Sequence, residues 1–323
     1  MKFGVSINNC REGTYVPSLF SEPNQIIELV QIAENLGFYS IWGNDHLTAT
    51  KNIRSNYPSE PNLYESIVTT TYLAGITNNI HLGIGNIALP LREPVLLAKQ
   101  TATLDVFSGG RLMLGVGLGS QREEFLSVYP KMNKVHRGKL LEEQYEALYL
   151  LLTKKEVSFM GEYIHFNQIS VLPKPIQNPP SIYITGEIPE NAARVAKWGT
   201  GWSNNRLREN ITIRERWELL MPLLEKEGRD PKEIDMHTEA TLFLAPSHDE
   251  AIKRFRNGWQ GADFNRVIDR GLIGTPAEIV EKIWSMKQDG LTHILGIPGQ
   301  ITSFQEWLEQ VQLFGEEVLP NFS

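Results

Sequence analysis

The clearest pattern in the chain lies between residues 79 and 125, where hydrophobic positions change from a period of two to a helical period and back. Residues 80–84 and 112–116 each alternate aliphatic with small or polar side chains, which predicts two β-strands. Between them, Pro94 opens a segment whose apolar residues recur at helical spacing as far as Ser108. Strand, crossover helix and strand form a βαβ unit, so we expect the two strands to be parallel neighbours.

Alternating strand and helix patterns continue through the rest of the chain. The predicted strands are residues 2–8, 38–42, 80–84, 112–116, 181–186, 200–204, 236–244 and 293–297. Eight strands that alternate with helices in 323 residues indicate a (β/α)8 TIM barrel with insertions, an α/β fold. A doubly wound open sheet is the alternative. We expect a single domain over residues 1–323, with an insertion at about 154–180 that contains a hairpin at Val157–Phe166.

The predicted barrel strands have one aliphatic face and one face that is rich in glycine. Gly83 and Gly85 lie on this second face in one strand, and Gly115 and Gly117 lie on it in the next. Parallel strands are usually apolar on both faces, so these glycines need an explanation. They either relieve crowding inside a narrow barrel or leave room for a flat ligand across the strand ends, and the pattern alone leaves both explanations open.

Composition and charge limit the class of protein. The chain is 41% apolar and 21% charged, which are globular values, and no apolar run is long enough to cross a bilayer. The amino terminus lacks the apolar core of a signal peptide, and the single cysteine, Cys10, cannot form an internal disulfide. A net charge of −7 argues against a nucleic-acid surface. We therefore expect a cytoplasmic protein with no membrane or nucleic-acid partner.

The active site of a (β/α)8 barrel lies at the carboxyl ends of its strands. The residues expected there carry mostly amides, hydroxyls and glycine backbone, which suits an uncharged aromatic ligand better than a metal or a pair of catalytic carboxylates. They are Asn8, Asp45, His46, Asn86, Leu118–Gln121, Thr185–Glu187, Ser203, Asn204, Ile297 and Pro298.

Several common catalytic motifs are absent or incomplete. The histidines show no HExxH spacing, and His237 with Glu239 lacks the cysteine ligands of a zinc deaminase. There is no GxSxG nucleophile elbow. The run Gly115–Gly119 lacks the third glycine and the later acidic residue of a dinucleotide fingerprint. No metal is expected.

The run GIGNIALPLREPVLLAKQTATLDVFSGGRLMLGVGLGSQREEF resembles the central signature of the bacterial-luciferase-like flavin monooxygenases and their deazaflavin-dependent relatives. Further pieces at both ends of the chain extend the resemblance over nearly its whole length. It implies a monooxygenase that uses reduced FMN and molecular oxygen on a small organic substrate, with a separate flavin reductase and a homodimeric assembly. A deazaflavin-dependent reductase or dehydrogenase, and a flavin-binding protein without turnover, are the alternatives.

The resemblance also implies positions for the cofactor. The family has a cis peptide bond at the end of its third strand, which corresponds here to Gly85–Asn86 and would support the flavin ring. The next strand end would pass along the flavin, and the region after the fifth strand would hold the phosphate. The implied cofactor-binding residues are Gly85, Asn86, Ile87, Gly117, Gly119, Ser120, Thr185, Gly186, Glu187, Ser203, Asn204 and Arg206.

The pair Asp45-His46 matches an Asp-His pair found after the second strand in many members of this family. A histidine titrates near neutral pH, so His46 is the candidate for proton transfer. Asp45 is expected to orient its neighbours rather than to react. The polar segment Leu47–Asn62 follows directly and is expected to exclude water from the site.

The chain departs from the family pattern on the phosphate side. Some relatives carry an arginine or a catalytic glutamate where this chain has Leu118 and Ser120, so those contacts are not expected here. Thr185-Gly186 replaces a Gly-Gly pair, although backbone N–H groups at the following helix start still suit a phosphate. Glu187 is unfavourable beside a dianion. The candidate cations are Arg206 and Arg208, followed by Arg266 and Arg270.

Overall fold

In a computed structural model of the chain, the described residues are 1–9, 22–51, 62–119, 121–205, 209–258, 263–299 and 301–322. Cys10 and much of the segment after His46 lie outside them. The strands are β1 (Lys2–Ser6), β2 (Ser40–Gly43), β3 (His81–Ala88), β4 (Leu112–Gly117), β5 (Val157–Met160), β6 (His165–Ile169), β7 (Ile182–Thr185), β8 (Gly201–Asn205), β9 (Asp235–Leu244), β10 (Leu272–Gly274) and β11 (His293–Pro298).

Eight of these strands form a closed ring of parallel pairs. Around the barrel the order is β1, β2, β3, β4, β7, β8, β9 and β11, and β11 pairs with β1 again. All eight predicted strands are present, and the ring has no open edge. The prediction of a (β/α)8 barrel is therefore confirmed, and the open-sheet alternative is wrong.

The helices of the described residues lie outside the barrel. They are α1 (Pro23–Asn35), α2 (Ser66–Ala74), α3 (Pro94–Phe107), α4 (Arg122–Val128), α5 (Arg137–Thr153), α6 (Asn191–Trp198), α7 (Ile213–Glu227), α8 (His248–Gly258), α9 (Phe264–Arg270), α10 (Pro276–Gln288) and α11 (Phe304–Glu317). Their starts follow local chemistry: Thr275 caps α10, since its hydroxyl accepts from the Glu278 N–H while Glu278 reaches back to the Thr275 N–H.

The short elements α4, α9 and β10 were not predicted, whereas the hairpin of β5 and β6 was. The short strand β10 pairs with the last three residues of β9 and follows α9, and neither was expected from the sequence. A run of three residues is too short to show a period. The predicted hairpin at Val157–Phe166 is confirmed, because β5 and β6 pair antiparallel there.

The aliphatic faces of the barrel strands form the main core with the surrounding helices. Val5, Ile41, Leu82 and Leu114 point outward from four successive strands and are completely or almost completely buried. Burying one such side chain contributes about 1.5–3 kcal/mol, so this layer supplies much of the driving force for closing the barrel. No helix in the part of the chain that the structure describes is long and apolar enough to span a membrane.

The glycine-rich faces point into the barrel, where Trp42 fills the space beside them. A Cβ on Gly83 would overlap the Trp42 indole, one on Gly85 would lie 2.7 Å from its Cε3, and one on Gly115 would lie 3.4 Å from its Cζ3. Trp42 packs there with Met113 and other buried residues. Relief of crowding by Trp42 therefore explains Gly83 and Gly115, whereas Gly85 also lines the cavity at the strand ends.

The amino-terminal end of the barrel is closed by a buried polar cluster around Asp235. Its Oδ2 accepts from Lys2 Nζ at 2.6 Å and from the Tyr183 hydroxyl at 2.5 Å. Burial acts to raise the pKa of Asp235, but His293 and Lys2 outweigh it and hold that pKa well below its usual range. These residues fill this end of the barrel, whereas the cavity described below opens at the carboxyl ends of the strands.

Candidate active site

A cavity of about 250 Å³ opens at the carboxyl ends of the barrel strands. Its lining combines amides, hydroxyls and glycine backbone with four carboxylates and one imidazole. The lining residues are Ser6, Trp42, Asn44, Asp45, His46, Gly85, Asn86, Ala88, Gly119, Glu124, Thr185, Gly186, Glu187, Ser203, Asn204, Asn205, Glu239, Leu295 and Ile297.

The structure brings ten of the fourteen predicted site residues together around this cavity. These are Asp45, His46, Gly85, Asn86, Gly119, Thr185, Gly186, Glu187, Ser203 and Asn204. Ile87 and Gly117 lie elsewhere, as described below, and Ser120 and Arg206 lie outside the described residues.

A bulge in β3 explains why Asn86 lines the cavity and Ile87 does not. The pairing of β3 with β4 shifts register between Ile84 and Ile87, and the Gly85–Asn86 peptide bond is cis, as the resemblance implied. In a regular strand Gly85 and Asn86 would face opposite sides of the sheet. The bulge lets both reach the cavity and turns Ile87 outward into the main core, where it is completely buried.

Gly117 supports the cavity wall from behind. A Cβ at this position would overlap the Thr185 hydroxyl and come within 3.0 Å of Asn86 Nδ2. Because Gly117 carries no side chain, Asn86 Nδ2 can donate to Thr185 Oγ1 at 2.6 Å, and this hydroxyl donates to the Val116 carbonyl at 3.0 Å. The chain Asn86–Thr185–Val116 holds the Asn86 amide in one orientation at the cavity.

His46 contacts a carboxylate that is distant in sequence. Its Nδ1 lies 3.0 Å from Oε2 of Glu124, which is on α4 and buried. The other oxygen of Glu124 accepts from the backbone N–H groups of Leu47 at 2.6 Å and Thr48 at 3.2 Å. Glu124 therefore holds both the imidazole and the start of the following segment.

Asp45 uses both carboxylate oxygens in hydrogen bonds that hold the surrounding segments together. Its Oδ1 accepts from the Ser66 hydroxyl at 2.8 Å and from Arg92 Nη2, and its Oδ2 accepts from the Ala88 N–H at 3.3 Å. Burial acts to lower the pKa of Arg92, but Asp45 and Glu65 beside it raise that pKa overall. Asp45 thus links β2 to α2 and to the segment after β3.

Ser203 connects the cavity to a buried histidine beneath it. The Ser203 hydroxyl lies 2.7 Å from His237 Nδ1, and the His237 ring packs against Trp42 with ring centroids 4.8 Å apart. Burial lowers the pKa of His237 well below its usual value, and His293 acts in the same direction. The His237 ring is therefore neutral at physiological pH, and it lies beneath the cavity.

The predicted phosphate side lacks the expected cations among the described residues. No described lysine or arginine lines the cavity, and Arg208, like Arg206, is outside the described range. Arg266 and Arg270 instead donate to the Glu209 carbonyl, at 3.3 and 2.6 Å.

The start of α6 forms a hydrogen-bonded turn beside the cavity residues Thr185–Glu187. The backbone N–H groups of Asn191 and Ala192 donate to the carbonyls of Ile188 and Pro189, each at 3.0 Å. These two N–H groups are therefore used within the turn at the helix start. Trp202 lies in the core, and its indole N–H donates to the Gly186 carbonyl at 3.0 Å.

Several cavity residues were missed by sequence reasoning. Glu124 lies beyond the predicted strand end, and nothing in its local pattern separates it from the neighbouring Glu123. Glu239 had a signal, because it is the only acidic residue within an otherwise aliphatic and polar stretch of β9, residues 236–244. Among the described residues no group of three or more His, Cys, Asp or Glu side chains could hold a metal ion.

The site thus combines a histidine, an amide-rich wall and a cis peptide bulge at the carboxyl mouth of a closed (β/α)8 barrel. Residues 1–293 match the family described as luciferase-like monooxygenase. The chain belongs to this bacterial-luciferase-like family, whose members depend on flavin or on a deazaflavin.

The relatives divide between two cofactors. The chain is 27% identical to an FMNH(2)-dependent dimethylsulfone monooxygenase of Pseudomonas putida, over 99% of this chain and 94% of that one. It is 30% identical to the oxygenase component of a flavin-dependent trigonelline monooxygenase of Acinetobacter baylyi, over 52% and 44% of the two chains. The structure of an F420-dependent secondary alcohol dehydrogenase superposes with a TM-score of 0.78 and 18% identity, covering 100% of this chain and 99% of that one.

Proposed function

We propose that this protein is a flavin-dependent monooxygenase that uses reduced FMN and molecular oxygen on a small organic substrate. The observation that carries the proposal is the common cavity of His46, the Gly85–Asn86 bulge and the Thr185–Gly186 turn. A proton-transfer group, a backbone support and a polar wall meet there at the carboxyl ends of the barrel strands.

The described lining suits the ring end of FMN. The flavin ring has an apolar body and an edge of hydrogen-bond donors and acceptors, which matches side-chain amides next to glycine backbone. Asn44, Asn86, Asn204 and Asn205 supply the amides, and Leu295 with Ile297 supplies apolar surface. For the phosphate end, Arg206 and Arg208 remain the candidates. The described charged residues nearby, Glu187 and Glu239, are carboxylates and supply no positive charge.

Reduced FMN would supply the two electrons with which one oxygen atom of O₂ enters the substrate and the other leaves as water. The chain's own task is to hold the ring, to exclude water and to move protons. His46 is the group we assign to proton transfer, because it lines the cavity and its Nδ1 is held by Glu124. Asp45 and Arg92 keep the histidine-bearing turn in place.

We further propose that a separate flavin reductase supplies the reduced FMN. The glycine run Gly115–Gly119 does not complete a dinucleotide fingerprint, and one relative is the oxygenase component of its enzyme. The protein alone should then consume no NADH, and NADH oxidation should begin only when a reductase is added.

A homodimer is part of this proposal. Val68 and Tyr72 lie one turn apart on α2, and Leu96 lies on the adjacent α3; their side chains are 68%, 58% and 57% exposed. Apolar side chains of this size on neighbouring helices suit the self-complementary interface of a two-fold dimer. Light scattering should give twice the chain mass, and Tyr72→Glu should shift it toward the monomer.

A deazaflavin-dependent dehydrogenase is the second candidate function. The F420-dependent secondary alcohol dehydrogenase that superposes on this chain has the same barrel fold, which supports this second candidate. The two candidates differ in their response to oxygen, because hydride transfer with a deazaflavin needs no O₂.

The test is a paired titration followed by an oxygen assay. Purified protein is titrated with FMN, with reduced FMN under argon and with F420, and binding is followed by fluorescence. Oxygen uptake is then measured with FMN, NADH and a flavin reductase, with dimethyl sulfone as the first probe substrate. We expect tighter binding of reduced FMN than of F420 and a product that contains one oxygen atom from ¹⁸O₂.

His46→Ala should slow the oxygen reaction by about 100-fold if the histidine moves a proton in it. His165→Ala is the matched control, because His165 lies exposed on the β6 strand of the hairpin. Binding of F420 with alcohol oxidation that is indifferent to oxygen would replace the first proposal with the second.

A further inference from the structure

Glu124 makes two different kinds of contact with its two oxygens. Oε1 accepts from the backbone N–H groups of Leu47 and Thr48, and Oε2 lies 3.0 Å from His46 Nδ1. The side chain is buried, and the residue is only 2% exposed. A residue that served only to hold the backbone would need one of these oxygens, so the contact with the imidazole requires a separate explanation.

The contact determines which ring nitrogen of His46 carries hydrogen. An ionised carboxylate only accepts hydrogen bonds, so Nδ1 must be the donor in this pair. In the neutral imidazole the other nitrogen, Nε2, then has the lone pair. His46 can therefore take up a proton at Nε2 and release it again without breaking its contact with Glu124.

We propose that Glu124 is a positioning residue for His46, one that fixes the orientation and the Nδ1–H tautomer of the imidazole. The inference rests on the proposed function in one respect, namely that His46 moves a proton during the reaction. Glu124 acts through His46 and needs no contact with the substrate. Glu124 thus joins the turn that carries His46 to α4.

A glutamine at this position would test the proposal because it keeps the size of the side chain and changes one hydrogen-bonding group. Its carbonyl oxygen can take the place of Oε1 and accept from Leu47 and Thr48. Its NH₂ group then faces His46 Nδ1 as a donor, which requires Nδ1 to accept. Glu124→Gln should therefore preserve the backbone contacts and reverse the tautomer of His46.

The experiment reads the tautomer directly by ¹⁵N NMR of protein labelled in its histidine rings, at a pH where the His46 ring is neutral. The His46 signals are assigned by their loss in His46→Gln. We expect protonated Nδ1 in the wild type and protonated Nε2 in Glu124→Gln. The matched control is Glu123→Gln, since the exposed Glu123 accepts from the Lys51 N–H at 3.2 Å and its substitution should leave the tautomer unchanged.

The kinetic part measures the oxidation by O₂ of reduced FMN bound to each variant. Glu124→Gln should slow this reaction by about 10- to 100-fold while the Kd for FMN changes by less than about twofold. In a His46→Ala background the same substitution should have almost no further effect, because both changes remove one function. A purely structural role would instead weaken FMN binding and multiply the effect of His46→Ala.

Three results would overturn the proposal: protonated Nε2 in the neutral wild type, an unchanged tautomer in Glu124→Gln, or independent effects of the two substitutions. The wild-type NMR spectrum tests the tautomer of His46 by itself, so the proposal can be overturned even if Glu124→Gln folds poorly. If the tautomer reverses but the protein neither binds FMN nor reacts with oxygen, the positioning role stands and the proposed monooxygenase function fails.

Discussion

The indole ring of Trp42 occupies the space beside the Gly83 Cα in which any other residue would place its Cβ. Gly85 and Gly115 border the same ring from neighbouring positions. Trp42 in turn forms part of the floor of the cavity. These glycines are therefore a packing requirement of the barrel. Gly83 and Gly115 affect the site through Trp42, and Gly85 also lines the cavity itself.

Gly83→Ala should destabilise the protein by about 1–3 kcal/mol, because the added methyl group forces the buried Trp42 ring to move. Urea unfolding followed by tryptophan fluorescence measures this change. The FMN affinity should fall as well, since the floor of the cavity shifts with the ring.

Gly75→Ala is the matched control for that substitution. Gly75 ends α2 with a negative φ of −76°, and a Cβ there would meet only the Tyr72 carbonyl at an ordinary 3.4 Å. The stability of this variant should stay within about 0.5 kcal/mol of the wild type. Gly83→Ala should cost less stability in a Trp42→Phe background than in the wild-type protein. An equal cost in the two backgrounds would contradict overlap with Trp42 as its cause.

The stability of the barrel should depend on pH through His237 and His293. Burial lowers the pKa of both imidazoles, for His293 despite the opposing effect of Asp235. Below about pH 6.5 the unfolded chain binds protons that the native state does not, so the free energy of unfolding falls as pH decreases. Each histidine should contribute at most about 1.4 kcal/mol per pH unit in this range, and nothing well above it.

Urea unfolding at several pH values between about 5 and 8 measures this slope. His237→Asn should reduce the slope by the share of one histidine. His165→Gln, on the exposed hairpin, should leave it unchanged. A His237→Asn protein with the full wild-type slope would show that His237 is not one of the groups responsible.

Asp45→Asn should lower stability by about 2–4 kcal/mol, because Arg92 would lose its most buried carboxylate partner. Ser66→Ala removes one neutral donor to the same carboxylate and should cost about 1 kcal/mol. Thermal or urea unfolding measures both.

The exposed pair of Arg214 and Asp289, whose atoms are 2.8 Å apart, provides the comparison. Asp289→Asn should cost well under about 1 kcal/mol, since water screens this pair. If Asp45→Asn were as mild as Asp289→Asn, the ion pair with Arg92 would not be what holds the turn before His46.

The sequence was sufficient for the strands because each barrel strand is built from two chemically different faces. Residues 80–84 and 112–116 alternate because one face of each strand meets the aliphatic core and the other meets the crowded barrel interior. This difference can be read from neighbouring residues. The resemblance added the cis bond at Gly85–Asn86, which no hydrophobic pattern contains. The three-residue β10 escaped detection because a period cannot be read from so few positions.

By itself, then, the sequence determined the barrel, its βα order and the end at which the cavity opens, since all three follow from periodicity along neighbouring residues. Only the tertiary structure decided what the glycines accommodate, which side of β3 Ile87 faces and which carboxylate holds His46. Glu124 is 78 residues away from His46, and the two meet only because β2 and β4 end at the same mouth. Contacts of that kind depend on closure of the ring, which no local pattern records.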